Sequence, residues 1–301
     1  MHGAERMTEE GRRILNDARR FAGQAPALET LFSAFGPVLA AQAEIREQAP
    51  GWRGATPEPD LARFGQGVWL LADSGFQNPG PALGEAASKL LPVMEQAFPA
   101  LAGELTALRR SLADGSMPAD ALFALAFEAK VRPPAGVSED VLGFAAAQIA
   151  KPFVERQARD LAERIKGLSW LRGSCPVCGG APNYSQLVRV RDESDFIQAH
   201  GGQRWMRCGT CSTQWRCKRV FCPACGTEEP EQLFHLHVAD RPFERVDVCR
   251  SCKTYCLCLD TGELVDVPEP DMAALAMLPL EVLAREQGYA PLAGHAWNAV
   301  L

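Results

Sequence analysis

The first 174 residues of this 301-residue chain contain no cysteine. No stretch reaches 18 consecutive apolar residues, so no bilayer-spanning helix is expected. The start, Met1 to Arg13, is mixed in charge with no apolar stretch behind it, which is not the pattern of a signal peptide. Both absences point to a cytoplasmic protein. Positive charge is also short: 31 Lys and Arg face 37 Asp and Glu, a formal −6 that argues against a general nucleic-acid or membrane-surface binder. No glycine-rich phosphate loop, nucleophile elbow or paired catalytic carboxylate stands out, so the sequence offers no catalytic residue. The remaining composition, 47% hydrophobic and 23% charged, is that of a globular protein long enough for one large or two ordinary domains.

What is present is concentrated. All eleven cysteines fall between Cys175 and Cys258. The cytosol keeps thiols reduced, so clustered cysteines there more often hold metal than form disulfides. Four Cys-x-x-Cys pairs occur: Cys175/Cys178, Cys208/Cys211, Cys222/Cys225 and Cys249/Cys252. Each can form a tight knuckle whose two thiolates face one cation, and two knuckles complete a tetrahedral S₄ site suited to zinc or to a rubredoxin-type iron. Eight thiolates therefore predict two metal ions per chain.

The pattern repeats. CPVCG at Cys175 and CPACG at Cys222 are each followed by a strand-like segment and a plainer pair, CGTC or CRSC. CSTQWRC after the first echoes CKTYCLC after the second, aligning Cys217 with Cys258. This implies a tandem duplication, with 29 and 23 residues between the two knuckles of each module. Sequential pairing is the natural result, and the spacing also permits interleaving of first knuckle with third. Closed S₄ sites leave no open position for substrate, so their expected role is to hold ribbons too small to bury a core. Cys217, Cys256 and Cys258 read as small buried hydrophobes. His235 and His237 alternate on one strand face and are not needed as ligands.

Between Arg204 and Arg219 lies a basic run, Arg204, Arg207, Arg216, Lys218 and Arg219, interleaved with Trp205 and Trp215. From residue 168 to 260, twelve Lys/Arg against ten Asp/Glu give +2, and two divalent S₄ centres add 2 × (+2 − 4) = −4, leaving −2. That balance disfavours nucleic acid. Arg204, Trp205, Trp215, Arg216 and Arg219 read instead as a surface for an acidic protein partner, with partial neutralisation of the anionic metal centres as the alternative.

Along the chain, residues 1–169 read as helices. Thr8 caps a segment to residue 20, apolar residues recur at helical spacing over 26–47, and a Pro/Gly-rich stretch over 49–59 is irregular. Further helices are predicted near 61–71, 83–97 and 100–112, then over 119–130 with Ser116 as N-cap. Ser138 caps another, and Pro152 opens or kinks a segment to residue 166. Short runs at 186–190, 204–207, 233–238 and 245–248 read as strands within a metal-binding domain of 170–262. The tail, 263–301, returns to helix over 271–287 and ends at Gly288. The fold class is α+β: an N-terminal all-α domain, tandem rubredoxin-like or zinc-ribbon modules, and a C-terminal helix.

At CPVCG (175), RWMRCGTCSTQW (204), Arg219 before CPACG (222) and CRSCKTY (249), the sequence resembles the formate dehydrogenase accessory protein family, FdhE. The tail, Asp271-Met-Ala-Ala-Leu-Ala and Glu286-Gln-Gly-Tyr289, is similar to that family's closing helix, so the match covers about residues 172–290. The resemblance implies a helical domain carrying a rubredoxin-like metal domain, a cytoplasmic location, and iron at the cysteine sites, with zinc equally compatible with the spacing. It also implies a binding protein, not an enzyme, whose partner is the catalytic, molybdenum-containing subunit of formate dehydrogenase during maturation. The second knuckle of each module lacks the Pro and Gly of a full rubredoxin knuckle, and Cys217, Cys256 and Cys258 are additions to the pattern. Two rival functions are a redox or sulfur-transfer protein, which needs an exposed low-pKa thiol outside the eight ligands, and a nucleic-acid-binding ribbon.

Overall fold

The computed structural model of the chain describes residues 7–127, 130–189 and 202–299. Two compact units emerge from its contacts. One gathers residues up to Ala55 with Phe76–Asp160 and the last residues from Ala296, and the other gathers Thr56–Gly75 with Leu161–His295. The chain therefore passes between units more often than a boundary at 169/170 implies. No helix among the described residues is long and apolar enough to cross a membrane.

The first unit is helical. α1 (Glu9–Gln24) starts at Thr8, whose hydroxyl accepts from the Gly11 N–H at 3.0 Å, with Glu9 and Glu10 in the first turn. α2 (Glu29–Gln48) packs on α1, where Gly36 lets the backbone meet Ala18 closely. α3 (Leu61–Gly65) belongs to the second unit. α4 (Pro81–Ala97), α5 (Ala102–Ala113) and α6 (Asp120–Leu125) follow, and α7 (Glu139–Ala162) is the longest. Ser138 accepts from the Val141 N–H at the start of α7, and Pro152 lies inside that helix instead of opening it. Phe144, Phe98, Phe35 and Trp297 form a chain of edge-on ring contacts in the core. Within it, Gln42 donates to the Gln148 carbonyl at 2.8 Å, and Arg46 pairs with the buried Glu155.

Three helix expectations are corrected. The segment 61–71 is helical only to Gly65, because Gly67 takes a φ of +99° and the chain then bonds to the first knuckle. Ser116 does not cap α6: its hydroxyl donates to the Ser111 carbonyl, completing the turn after α5. That helix ends at Leu125, and residues 128 and 129 of the segment read as helical lie outside the described residues.

The second unit is built on a seven-stranded sheet: β1 (Pro182–Val188), β2 (Gln203–Cys208), β3 (Gln214–Cys217), β4 (Leu233–His237), β5 (Glu244–Cys249), β6 (Thr254–Asp260) and β7 (Ala290–Pro291). The order is β3-β2-β1-β6-β5-β4, with β7 beside β6. Each repeat is thus a three-strand antiparallel meander, β1–β3 or β4–β6, and the parallel pairing of β1 with β6 joins them. The sequence readings did not include β3 and β6, the strands after the plainer knuckles. Residue 190, the end of one run read as a strand, lies outside the described residues. In the tail, α8 (Pro270–Ala276) and α9 (Leu278–Glu286) replace one continuous helix, with Pro279 in the first turn of α9 and Gly288 at φ +82° beyond it. The buried Arg207 of β2 forms two hydrogen bonds to Asp271 of α8, and the Tyr255 hydroxyl of β6 donates to Glu281 of α9. The α+β architecture read from the sequence is the observed one.

Candidate metal centre

Two groups of four cysteines converge: Cys175, Cys178, Cys208 and Cys211, and separately Cys222, Cys225, Cys249 and Cys252. The pairing is sequential, first knuckle with second and third with fourth. Within each group the sulfurs lie within 4.8 Å of one another. The Cys175–Cys211, Cys178–Cys208 and Cys178–Cys211 separations are 3.7, 3.5 and 3.5 Å. Cys222–Cys252 and Cys225–Cys249 are 3.5 and 3.8 Å. A tetrahedral ion with metal–sulfur bonds of about 2.3 Å needs sulfur–sulfur edges of about 3.8 Å, so both donor sets fit a four-thiolate metal without rearrangement. Each group can hold one ion, and the two geometries suit iron and zinc alike.

Every knuckle uses the same backbone turn. The residue after the second cysteine donates its N–H to the carbonyl of the first, for Gly179, Ser212, Gly226 and Lys253 alike, at 2.9–3.1 Å. All four residues have φ between +57° and +76°, the left-handed region. Glycine reaches it without strain, whereas Ser212 and Lys253 adopt it against their Cβ atoms. The plainer knuckles thus keep the rubredoxin-like turn without its glycine. In these knuckles a threonine two residues on compensates in part: Thr213 lies 3.1 Å from the Cys211 sulfur and Thr254 lies 3.0 Å from that of Cys252.

The thiols are not equivalent. Hydrogen bonds from Cys175, Cys178 and Cys211 hold the Cys208 thiol well below its usual range, while burial pushes Cys175 and Cys211 up. In the second group burial pushes Cys222 up to about 12. Burial also opposes ionisation of Cys252, but hydrogen bonds from Thr254 and from the other three thiols outweigh it and bring it to about 7. In each group hydrogen bonds among the thiols thus favour a thiolate, which is the form a cation binds.

Shielding also differs. Leu70 and Leu71 donate backbone hydrogen bonds to the Pro176 and Val177 carbonyls, and the Trp69 ring lies over Gly179. Three of the first four cysteines are buried and Cys178 is half-buried. In the second group Cys225 is exposed and Cys252 half-buried. The cover on the first knuckle comes from residues more than a hundred positions upstream, and no local sequence signal marked it.

The basic run does not form one surface. Strand alternation divides it. Arg204 and Trp215 point to one face of the sheet, while Trp205 and Arg216, direct neighbours across β2 and β3, point to the other. Arg204 is 4% exposed, donates to the Phe221 carbonyl at 3.0 Å and pairs with Asp247 at 2.8 Å. Trp215 is 4% exposed and donates its indole N–H to the Arg172 carbonyl. Reading these two as surface residues is therefore corrected: both are interior, and Arg207 is equally occupied by Asp271. Trp205 is half-buried, and Arg216 and Arg219 are exposed. Cys217, Cys256 and Cys258 are buried, and burial raises all three thiols, Cys256 to about 12 and Cys258 to about 11. His235 and His237 stand side by side on β4, outside both cysteine groups.

No family model matches the chain. It is similar to an FdhE homologue of Aquifex aeolicus, 27% identical over 154 residues, which is 51% of each chain. It also resembles FdhE of Escherichia coli O127:H6, 31% identical over 40% of this chain and 35% of that one. An FdhE homologue of Rhizobium meliloti is 29% identical over 39% and 36%. The chain thus spans about half the length of the first of these relatives and about a third of the other two. Among solved structures, the crystal structure of the FdhE protein from Pseudomonas aeruginosa superimposes over 95% of both chains with a TM-score of 0.60 and 17% identity, which shows a shared fold.

Proposed function

Because this chain is similar to FdhE proteins in sequence and in fold, we propose that it is a formate dehydrogenase accessory protein. In this reading it binds the catalytic, molybdenum-containing subunit in the cytoplasm and is needed for assembly of the active enzyme, without catalysing a reaction. The observation that carries the reading is the likeness to an FdhE fold over nearly the whole chain, joined to two four-cysteine groups. Iron is the ion favoured by the family resemblance. Either metal, when bound, would supply folding free energy by tying β-strand ends together, with four of the eight cysteines holding each ion.

On this reading the partner surface is centred on Trp205 and Arg216, an aromatic body beside an exposed guanidinium, the residue types that dominate interface energetics. A redox or sulfur-transfer role gains no support from the spare cysteines, which are buried with raised pKa values. A nucleic-acid role loses its basic stripe to the ion pairs of Arg204 and Arg207. The test is co-purification of the catalytic formate dehydrogenase subunit with the wild-type chain and with a Trp205→Ala, Arg216→Glu variant that keeps its metal content. Capture by the wild type and a loss of about tenfold or more in the variant is expected. No capture by the wild type would overturn the function, and equal capture by both would overturn the surface.

A further inference from the structure

On the sheet face opposite Trp205, a cavity of about 230 Å³ opens beside the second cysteine group. Its lining includes Arg204, Arg245 and Asp247 from the strands, His235 from β4 and Arg219 from the loop before Cys222, and it reaches Cys222 and Cys249 of that group. Three arginines face one carboxylate. Asp247 serves two of them, with the Arg204 Nη2 at 2.8 Å and the Arg245 Nε at 3.0 Å. The Nε atoms of both Arg204 and Arg245 are buried and make no hydrogen bond among the described residues, so Asp247 meets Arg245 as an ion pair only. A buried donor left unpaired is costly, and an interior guanidinium without its full complement of acceptors more so.

We propose that this cavity is a binding site for a small phosphoryl-bearing molecule. Converging guanidinium groups match the several oxygens of a tetrahedral oxyanion and donate to them in fixed directions. The volume lies below the roughly 300–1,000 Å³ of sites for drug-sized ligands, so the ligand is small. The formal excess of two positive charges (three Arg, one Asp) would also offset the −2 of a divalent ion held by four thiolates. Offsetting that charge, however, requires no cavity.

The site also depends on the second metal centre. The loop carrying Arg219 and Phe221 runs into Cys222, and β5 carries Arg245 and Asp247 into Cys249. An ion joining those cysteines fixes both walls, so metal occupancy and anion binding are thermodynamically linked. This inference is independent of the formate dehydrogenase reading.

The experiment is titration calorimetry of the full-length, metal-loaded protein with inorganic phosphate and pyrophosphate at constant ionic strength, with acetate and succinate as the carboxylate arm. The expected result is one phosphate or pyrophosphate bound per chain. Binding should weaken about tenfold or more in Arg245→Met, and measurably in Arg219→Ala, whose exposed side chain can be removed without disturbing the fold. A Cys222→Ser, Cys225→Ser variant should lose binding. Absence of phosphate and pyrophosphate binding, or equal affinity in Arg219→Ala, would overturn the site. Carboxylates binding as tightly as phosphate would overturn the ligand class, and full binding by the cysteine variant would overturn the linkage to metal.

Discussion

Gly179 and Gly226 occupy the same place in their knuckles but differ in surroundings. A Cβ at Gly226 would meet only Phe221 at 3.9 Å, so Gly226→Ala should cost about 1–2 kcal/mol for its φ of +75° alone. A Cβ at Gly179 would lie 2.6 Å from Trp69 ring atoms, so Gly179→Ala should cost more, with the difference read from denaturation midpoints of the metal-loaded proteins. His295 offers a second test. Burial lowers its pKa to about 4, and the neutral ring bonds to the Asn183 side chain and carbonyl at 3.3 and 3.1 Å. The unfolded chain takes up a proton near its usual 6.5 while the folded chain does not. This group's contribution is therefore complete above pH 6.5 and is lost as pH falls towards 4, by at most about 3 kcal/mol. Unfolding of wild type and His295→Asn across that window should show a shallower pH dependence in the variant; parallel curves would contradict the assignment.

At the scale of elements, the buried Arg207–Asp271 pair ties β2 to α8. Arg207→Met should destabilise by about 3–5 kcal/mol, because removing one side of a buried ion pair is strongly destabilising. Arg216→Glu, on an exposed side chain, should leave stability within about 0.5 kcal/mol of wild type. Urea midpoints of the two variants check this contrast. The same pair shows what the sequence could and could not tell. The cysteine spacing marked all eight converging thiols, since ligand chemistry is local and repeats. Thr8 and Ser138 marked helix starts because a cap is read within four residues. In the basic run β3 was not recognised, so the alternation that buries Trp215 while exposing Arg216 was invisible, and Arg204 sits on a strand that was read but whose buried face was not. The partners that decide their fates, Asp247 and Asp271, are distant in sequence and carry no pattern. The cover laid on the first knuckle by residues 69–71 was hidden for the same reason.

For the whole molecule, the two metal centres should behave unequally. The first has three buried cysteines and a cover, whereas the second exposes Cys225 and half-exposes Cys252. A chelator should remove the second ion several-fold faster, leaving a one-ion species, and complete removal should abolish the sheet's order while the cysteine-free helical unit keeps its helical circular dichroism. The central claim is that two sequential four-cysteine groups each hold one ion. Elemental analysis of freshly prepared, reduced protein tests it most directly, run beside Cys175→Ser, Cys178→Ser and Cys222→Ser, Cys225→Ser variants. Two ions in the wild type and one in each variant are predicted. One ion or none in the wild type, or loss of both ions from a variant whose sheet remains folded, would contradict it.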